Sequence, residues 1–260
     1  MPTPLSPHNP RLEAIRELLT SRGRRAAGRF LAEGPTLLEE AERSGIAPLE
    51  IYGTGAALER AGAARFEAAG IAVFELPERT FARLSDLETP AGLLGLFPIP
   101  PSELAAILDR PGAVLLLAGV NDPGNAGTLV RSAEAFGAAG VLFGRGGADP
   151  FGPKVVRATM GSIFRVPVAQ VEAEAVLAAA QASGRPVIAT DVDGEDLGTA
   201  AIPANAILAI GNERRGVRDW LPRWDRAVRI PQRATTESLN AAVAGSIVLY
   251  ESARVTSSVK

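Results

Sequence analysis

The feature that most constrains this chain is an uninterrupted apolar run, Val114-Leu115-Leu116-Leu117-Ala118, closed at once by Gly119. It is far shorter than the ~18 apolar residues of a membrane span. It also lacks the apolar/polar alternation of a strand with one wet face, so it reads as a strand buried on both sides, the kind found in parallel sheets covered by helices. Further strands are expected at Gly140 to Phe143, Phe164 to Val168, Pro186 to Ala189, Ile207 to Ile210 and Ala227 to Ile230. Helical patterns lie between and after them, at Gly127 to Phe136, at the Ala-rich stretch Ala173 to Ala182, and from about Ser238 to Ala253. The expected architecture is a doubly wound α/β sheet, in which ligands gather at the carboxyl ends of the strands.

Upstream, Leu12, Ile15, Leu18 and Leu19 recur at helical spacing until Ser21-Arg22-Gly23 breaks the pattern. Phe30 to Pro35 reads as a strand ending in a turn, followed by a helix through Leu37, Leu38 and Ala41 that stops at Gly45. Strands at Leu49 to Tyr52 and Ile71 to Leu76 flank a helical stretch from Ala56 to Ala69, and the apolar run Ala91 to Phe97 closes a smaller α/β domain. Pro98, Pro100 and Pro101 interrupt helix and sheet alike, because proline lacks the amide donor and fixes its own φ. The expected division is residues 1–97, a linker over 98–111 with a helical turn or two from Ser102 to Leu108, and a second domain over 112–260.

Composition removes several classes. Nearly half of the 260 residues are apolar, enough for a substantial core. There is no cysteine, which excludes disulfides and thiolate metal sites, and the single histidine, His8, lies in a Pro-rich start, so histidine catalysis and a bound metal are not expected. The first residues have neither a basic start nor an apolar centre, and no apolar run suits a membrane; a cytoplasmic address is expected. A formal net charge of -2 gives no global signal for nucleic acid, yet Arg11, Arg16, Arg22, Arg24, Arg25 and Arg29 crowd the first thirty positions. That cluster suits a phosphate-binding face or a solvated helix end equally well.

Three segments that mix Gly or Pro with Asn, Arg, Glu or Ser each follow an expected strand. In Asn121-Asp122-Pro123-Gly124-Asn125-Ala126-Gly127-Thr128-Leu129-Val130-Arg131, Asn125 is a candidate helix cap and Arg131 points away from a core. In Ile210-Gly211-Asn212-Glu213-Arg214-Arg215-Gly216, a glycine directly after a strand permits close approach to a ligand. In Arg229-Ile230-Pro231-Gln232-Arg233-Ala234-Thr235-Thr236-Glu237-Ser238-Leu239-Asn240, Thr235 or Thr236 is a candidate cap for the last helix. Taken singly, each is also an ordinary capped loop or turn. Gly144-Arg145-Gly146-Gly147 does not have dinucleotide-fingerprint spacing and reads as a flexible loop, which argues against a nucleotide-binding oxidoreductase.

In this order, the three segments resemble the three motifs of the SpoU/TrmH methyltransferases of the SPOUT superfamily, over roughly residues 112 to 256. Phe30-Leu31-Ala32-Glu33-Gly34 and the helix after it resemble the start of the ribosomal-protein-like substrate-binding domain that many of these enzymes carry. Gln232 stands where methionine is usual and Ala234 where glycine is common. The resemblance implies a trefoil knot in the C-terminal domain, a homodimer, and S-adenosylmethionine bound near Thr190, Ile210, Gly211, Ile230, Pro231 and Leu239. It also implies transfer of a methyl group to a ribose 2′-hydroxyl of structured RNA, with 23S ribosomal RNA preferred over transfer RNA. Asn125, Arg131, Glu213, Ser238 and Asn240 are the implied catalytic set. Arg22, Arg24, Arg25 and Arg29 are the expected RNA contacts of the first domain. A non-catalytic RNA-binding or ribosome-assembly protein on the same fold is the competing reading.

Overall fold

The chain begins with a two-residue edge strand, β1 (Thr3–Pro4), a position where proline's missing amide is tolerated. Asn9 caps α1 (Pro10–Glu17) by accepting from the Arg11 amide, and Thr20 caps α2 (Ser21–Ala27) by accepting from the Gly23 amide. The residues expected to break the first helix therefore start a second one. There follow β2 (Arg29–Glu33), α3 (Pro35–Arg43), β3 (Glu50–Gly53), α4 (Gly55–Arg60), α5 (Ala63–Ala68), β4 (Ala72–Glu75), α6 (Glu78–Phe81) and β5 (Leu93–Pro98). The single helix expected over 56–69 is two, because Gly62 takes a left-handed conformation between them. The five strands form one mixed sheet in the order β1-β4-β3-β5-β2, parallel from β1 to β3 and antiparallel through β5 and β2.

The second sheet is wholly parallel. After α7 (Leu104–Leu108) come β6 (Val114–Ala118), α8 (Pro123–Ala135), β7 (Gly140–Gly144), α9 (Pro153–Ala158), β8 (Val168–Val171), α10 (Ala173–Ser183), β9 (Val187–Asp196), β10 (Ile207–Gly211), β11 (Arg226–Arg229) and α11 (Ala241–Ser257). The strand order is β11-β9-β10-β6-β7-β8, and every residue of β6 and β7 is buried. Leu116, Leu142, Ile207 and Ala209 sit in the core of one face together with Val176 and Ala180 of α10. On the other side, α11 packs against α8 and β10. Arg185 is buried and donates to the carbonyls of Leu108, Gly112 and Asn205, each at 2.8 Å, stitching the loops at the amino ends of the strands. Burial pushes its guanidinium pKa down.

This computed structural model describes residues 1–101, 103–212, 214–233 and 238–257. Its units are residues 1–100 with 151–164, and residues 101–150 with 165–260. The segment 151–164 was expected in the second domain but belongs with the first. Phe151 lies 5.0 Å from Phe30 between ring centroids, Phe164 lies 5.0 Å from Phe97, and α9 packs on β2. Phe164 accordingly ends a 3₁₀ turn, Ser162–Phe164, and the strand expected at Phe164 to Val168 starts only at Val168, beyond Pro167. Among the described residues no helix is long and apolar enough to cross a membrane.

Candidate functional site

The site is made by an interruption in β9. Residues 187–189 pair with β10, and Ile188 and Ala189 pair also with β11. The partner of Ala227 is Ala189, yet the partner of Val228 is Glu195, so residues 190–194 are extruded from the ladder. Gly194 makes this possible, since a Cβ there would lie 2.6 Å from the Val228 backbone. The extruded segment forms one wall of a pocket of about 640 Å³ at the carboxyl ends of β9, β10 and β11. Thr190, Ile210, Gly211, Ile230, Pro231 and Leu239, the positions expected to hold the cofactor, all line it, and so does Ser238. A strand ending at Ala189 was legible in the sequence; its resumption at Glu195 was not, and Gly194 was the sole local signal.

Gly211 is required for a reason other than approach to a ligand. The chain turns back so tightly that Asn212 bridges Gly216, with the Gly216 amide donating to the Asn212 carbonyl at 2.8 Å. A Cβ on Gly211 would overlap the backbone of Gly216 and Val217. Asn212 Oδ1 also accepts from the Arg214 amide at 3.0 Å, which fixes the loop entrance. Glu213, between them, lies outside the described residues.

The first and third motifs meet through one hydrogen bond. Asn240 Nδ2 donates to Asn125 Oδ1 at 2.9 Å, while Asn240 Oδ1 accepts from the amides of Ala242 and Val243 at 2.9 and 3.2 Å. Asn240 is thus the cap of α11, which begins at Ala241 rather than near Ser238; Thr235, Thr236 and Glu237 lie outside the described residues. Asn125 is not the cap of α8. Asp122 is, its Oδ1 accepting from the Asn125 amide at 2.7 Å, and this leaves the Asn125 side chain to reach Asn240. Ser132 and Ser246 join the same two helices at 2.6 Å. Arg131 is exposed on α8, outside the pocket lining, with no ion-pair partner among the described residues.

Among the RNA-contact candidates, Arg22, Arg25 and Arg29 are exposed. Arg24 is not available: it is 4% exposed and one guanidinium nitrogen donates to the Leu18 carbonyl at 2.7 Å, so it closes the end of α1. The Gly144 to Gly147 loop is tied rather than free, since Trp220 Nε1 donates to the Arg145 carbonyl and the Arg145 amide to Val171, each at 2.9 Å. Glu33 has a structural role that its sequence neighbourhood does not announce. It is buried in the first unit, where Ser85 Oγ donates to it at 2.8 Å and the Ala91 amide at 2.9 Å, and burial raises its pKa above the ordinary carboxylate value.

The donor set fits a ligand with apolar and polar parts. Thr190 Oγ1 is buried with no hydrogen-bond partner among the described residues, a group that a bound molecule would satisfy. Val192, in the same wall, is 75% exposed although apolar, and Ile210, Leu239 and Ala244 give the pocket an apolar floor.

Comparison with known proteins agrees with this geometry. Residues 112–250 match the SpoU rRNA Methylase family, and residues 9–95 match the MRM3-like substrate binding domain. The chain is 31% identical to a 23S rRNA (guanosine(2553)-2'-O)-methyltransferase of Bacillus subtilis over 94% of its length and 96% of that protein's. It is 32% identical to an AdoMet-bound rRNA methyltransferase from Sinorhizobium meliloti, with a TM-score of 0.85 over 97% of this chain and 98% of that one. The SpoU methyltransferase AviRb from Streptomyces viridochromogenes, solved with AdoMet, is 29% identical with a TM-score of 0.83 over 96% and 99% of the two chains. By its family match over more than half its length, its strand-end pocket and its three ordered motifs, this chain belongs to the SpoU rRNA methylase family.

Proposed function

We propose that the protein transfers a methyl group from S-adenosylmethionine to a ribose 2′-hydroxyl of structured RNA, with 23S ribosomal RNA as substrate. The observation that carries this reading is the meeting of the motifs: two strand-end loops and the Ser238–Leu239 segment line one pocket, and Asn240 ties the first motif to the third. When bound, S-adenosylmethionine supplies an electrophilic methyl on a positively charged sulfur. Thr190 offers it a hydroxyl without a hydrogen-bond partner among the described residues, and Ile210 and Leu239 offer apolar surface.

The chain's remaining task is the acceptor. A ribose hydroxyl must lose its proton as it attacks, and a guanidinium is too weak an acid to act as base at neutral pH. Arg131 therefore stays charged, orients the hydroxyl and stabilises the forming alkoxide, while an RNA phosphate oxygen or water takes the proton. Asn125, held by Asn240, fixes the start of the helix that carries Arg131. Alignment of donor and acceptor supplies much of the acceleration, of order 7–11 kcal/mol for well-oriented reactants. Only RNA carries the accepting hydroxyl.

Two further parts belong to the same reading. In the first unit, Arg22, Arg25 and Arg29 contact phosphates that set register without reading bases. A second copy pairs through the methyltransferase unit, supported by Val243 and Tyr250 of α11, which are 48% and 50% exposed although apolar or aromatic. The implied knot is supported by the path of the chain, which leaves the edge strand β11 and returns to set α11 against β10 in the middle of the sheet.

The test is transfer of labelled methyl from S-adenosylmethionine to total RNA, fractionated into ribosomal and transfer RNA, with the unmutated protein and with Arg131→Ala. Label in ribosomal RNA that digests to a 2′-O-methyl nucleoside, and falls by at least about a hundredfold in the variant, is the expected result. RNA binding without label in any fraction would instead establish the non-catalytic reading.

A further inference from the structure

The candidate pocket carries an excess of cationic side chains that the cofactor does not explain. Among the described residues that line it are Arg214, Arg215, Arg218, Arg229 and Arg233, against two aspartates, Asp191 and Asp193. Two of the five are paired: Arg215 with Asp219 at 3.3 Å, and Arg218 with Asp191 at 3.6 Å. Arg214, Arg229 and Arg233 are exposed and have no ion-pair partner among the described residues. The chain's net charge of -2 gives no general excess of base from which such a group would arise by chance. Like charges gathered at one mouth repel one another and favour a bound anion.

We propose that Arg214, Arg229 and Arg233 form a phosphate-gripping rim that holds the RNA backbone beside the target nucleotide, separate from the arginines of the first unit. This rests on the RNA-methylating function proposed above. The shared chemistry is an anionic oxygen, and both an RNA phosphate and the carboxylate of the cofactor provide one. A single carboxylate takes one guanidinium fork. Three arginines without an ion-pair partner among the described residues, on the loop after β10, the last residue of β11 and the loop after it, match a run of phosphates better. Phosphate contacts of this kind position the nucleic acid and do not read its sequence.

The test compares the unmutated protein with a triple Arg214→Gln, Arg229→Gln, Arg233→Gln variant and a triple Arg→Lys variant at the same positions. Binding of deproteinised ribosomal RNA is measured from about 50 to 200 mM salt, where phosphate contacts dominate the salt dependence. Binding of S-adenosylmethionine alone is measured by calorimetry. The glutamine variant is expected to lose about 2 to 3 from the slope of log affinity against log salt, about one per arginine, while cofactor affinity is unchanged; the lysine variant keeps most of the slope. An unchanged slope in the glutamine variant, or a loss of cofactor affinity in its place, overturns the rim and assigns the arginines to solvent or to the cofactor carboxylate. Absence of RNA binding and methyl transfer in the unmutated protein would strike the proposed function itself, which separates the two failures.

Discussion

At the scale of single residues, the most informative group is the Thr190 hydroxyl, buried without a hydrogen-bond partner among the described residues. Such a group costs stability in the ligand-free protein and repays it on binding. Thr190→Val keeps the shape and removes the hydroxyl, so it is expected to raise ligand-free stability by about 1 kcal/mol while weakening S-adenosylmethionine roughly tenfold. Denaturant unfolding and calorimetry read the two effects separately, and lowered stability with unchanged affinity would mean the hydroxyl serves the fold. Glu33 makes the opposite case, a buried carboxylate with partners. Its pKa is raised first by burial, against the lowering effects of the Ala91 amide, Ser85 and the charge of Arg157. Because the folded value lies above the unfolded one, its favourable contribution is complete below the ordinary carboxylate value and is lost as pH rises through the folded value. The stability of the unmutated protein relative to Glu33→Gln should therefore fall as pH rises from about 4 towards neutrality, and a relative gain over that window would contradict the assignment. The resemblance marked Thr190 as a cofactor position and Glu33 only as part of a matching segment, but neither the unsatisfied hydroxyl nor the buried carboxylate could be read there: hydroxyl satisfaction and carboxylate burial are properties of a neighbourhood assembled from distant segments.

At the scale of elements, the positions of β6, β7 and β10 were legible because each is apolar on both faces and punctuated by glycine. Helix starts were less so, since several capping side chains compete locally and only one geometry wins. Asp122 outcompetes Asn125 at α8, and this frees Asn125 for Asn240. Asn240→Ala removes both the α11 cap and the link between motifs. It is expected to cost about 1 kcal/mol of stability and a larger share of turnover, with cofactor affinity nearly kept. A variant with full activity would remove Asn240 from the positioning set. The turn after β10 is the stiffer element. Gly211→Ala drives a methyl group into the backbone of Gly216 and Val217, so unfolding measurements should show a loss of roughly 2–4 kcal/mol, together with lost cofactor binding. A neutral effect there would mean that the turn can open without cost. At Gly211 the neighbour that requires glycine is the backbone of Gly216 and Val217 and not a ligand, because spacing shows that close approach is needed and not what approaches.

At the scale of the whole molecule, the division into units departs from the order of the chain. The proline cluster at 98, 100 and 101 suggested one cut, with everything after residue 112 belonging to the methyltransferase domain. Residues 151–164 instead complete the first unit. Phe151, Val155, Val156 and Ile163 are buried, and Arg157 binds Asp86 through both carboxylate oxygens, the second contact at 2.9 Å. Nothing in the segment's own periodicity announces this, because its partners Phe30 and Phe97 lie in the other half of the chain. The consequence is a prediction about truncation. A fragment of residues 101–260 keeps the pocket-forming strands but strips the cover from this segment's apolar side chains. It is expected to bind a hydrophobic dye and to self-associate, in contrast with the clean cofactor-binding fragment that a cut at the prolines would suggest. Replacing Phe151 and Ile163 by serine in that fragment should restore a soluble monomer or dimer that binds S-adenosylmethionine, since neither residue lines the pocket. A fragment of unaltered sequence that stays dispersed, binds no dye and unfolds at the same midpoint as the methyltransferase unit of the intact protein would show that the segment folds back without the first unit, and the chain would then be two domains in series after all.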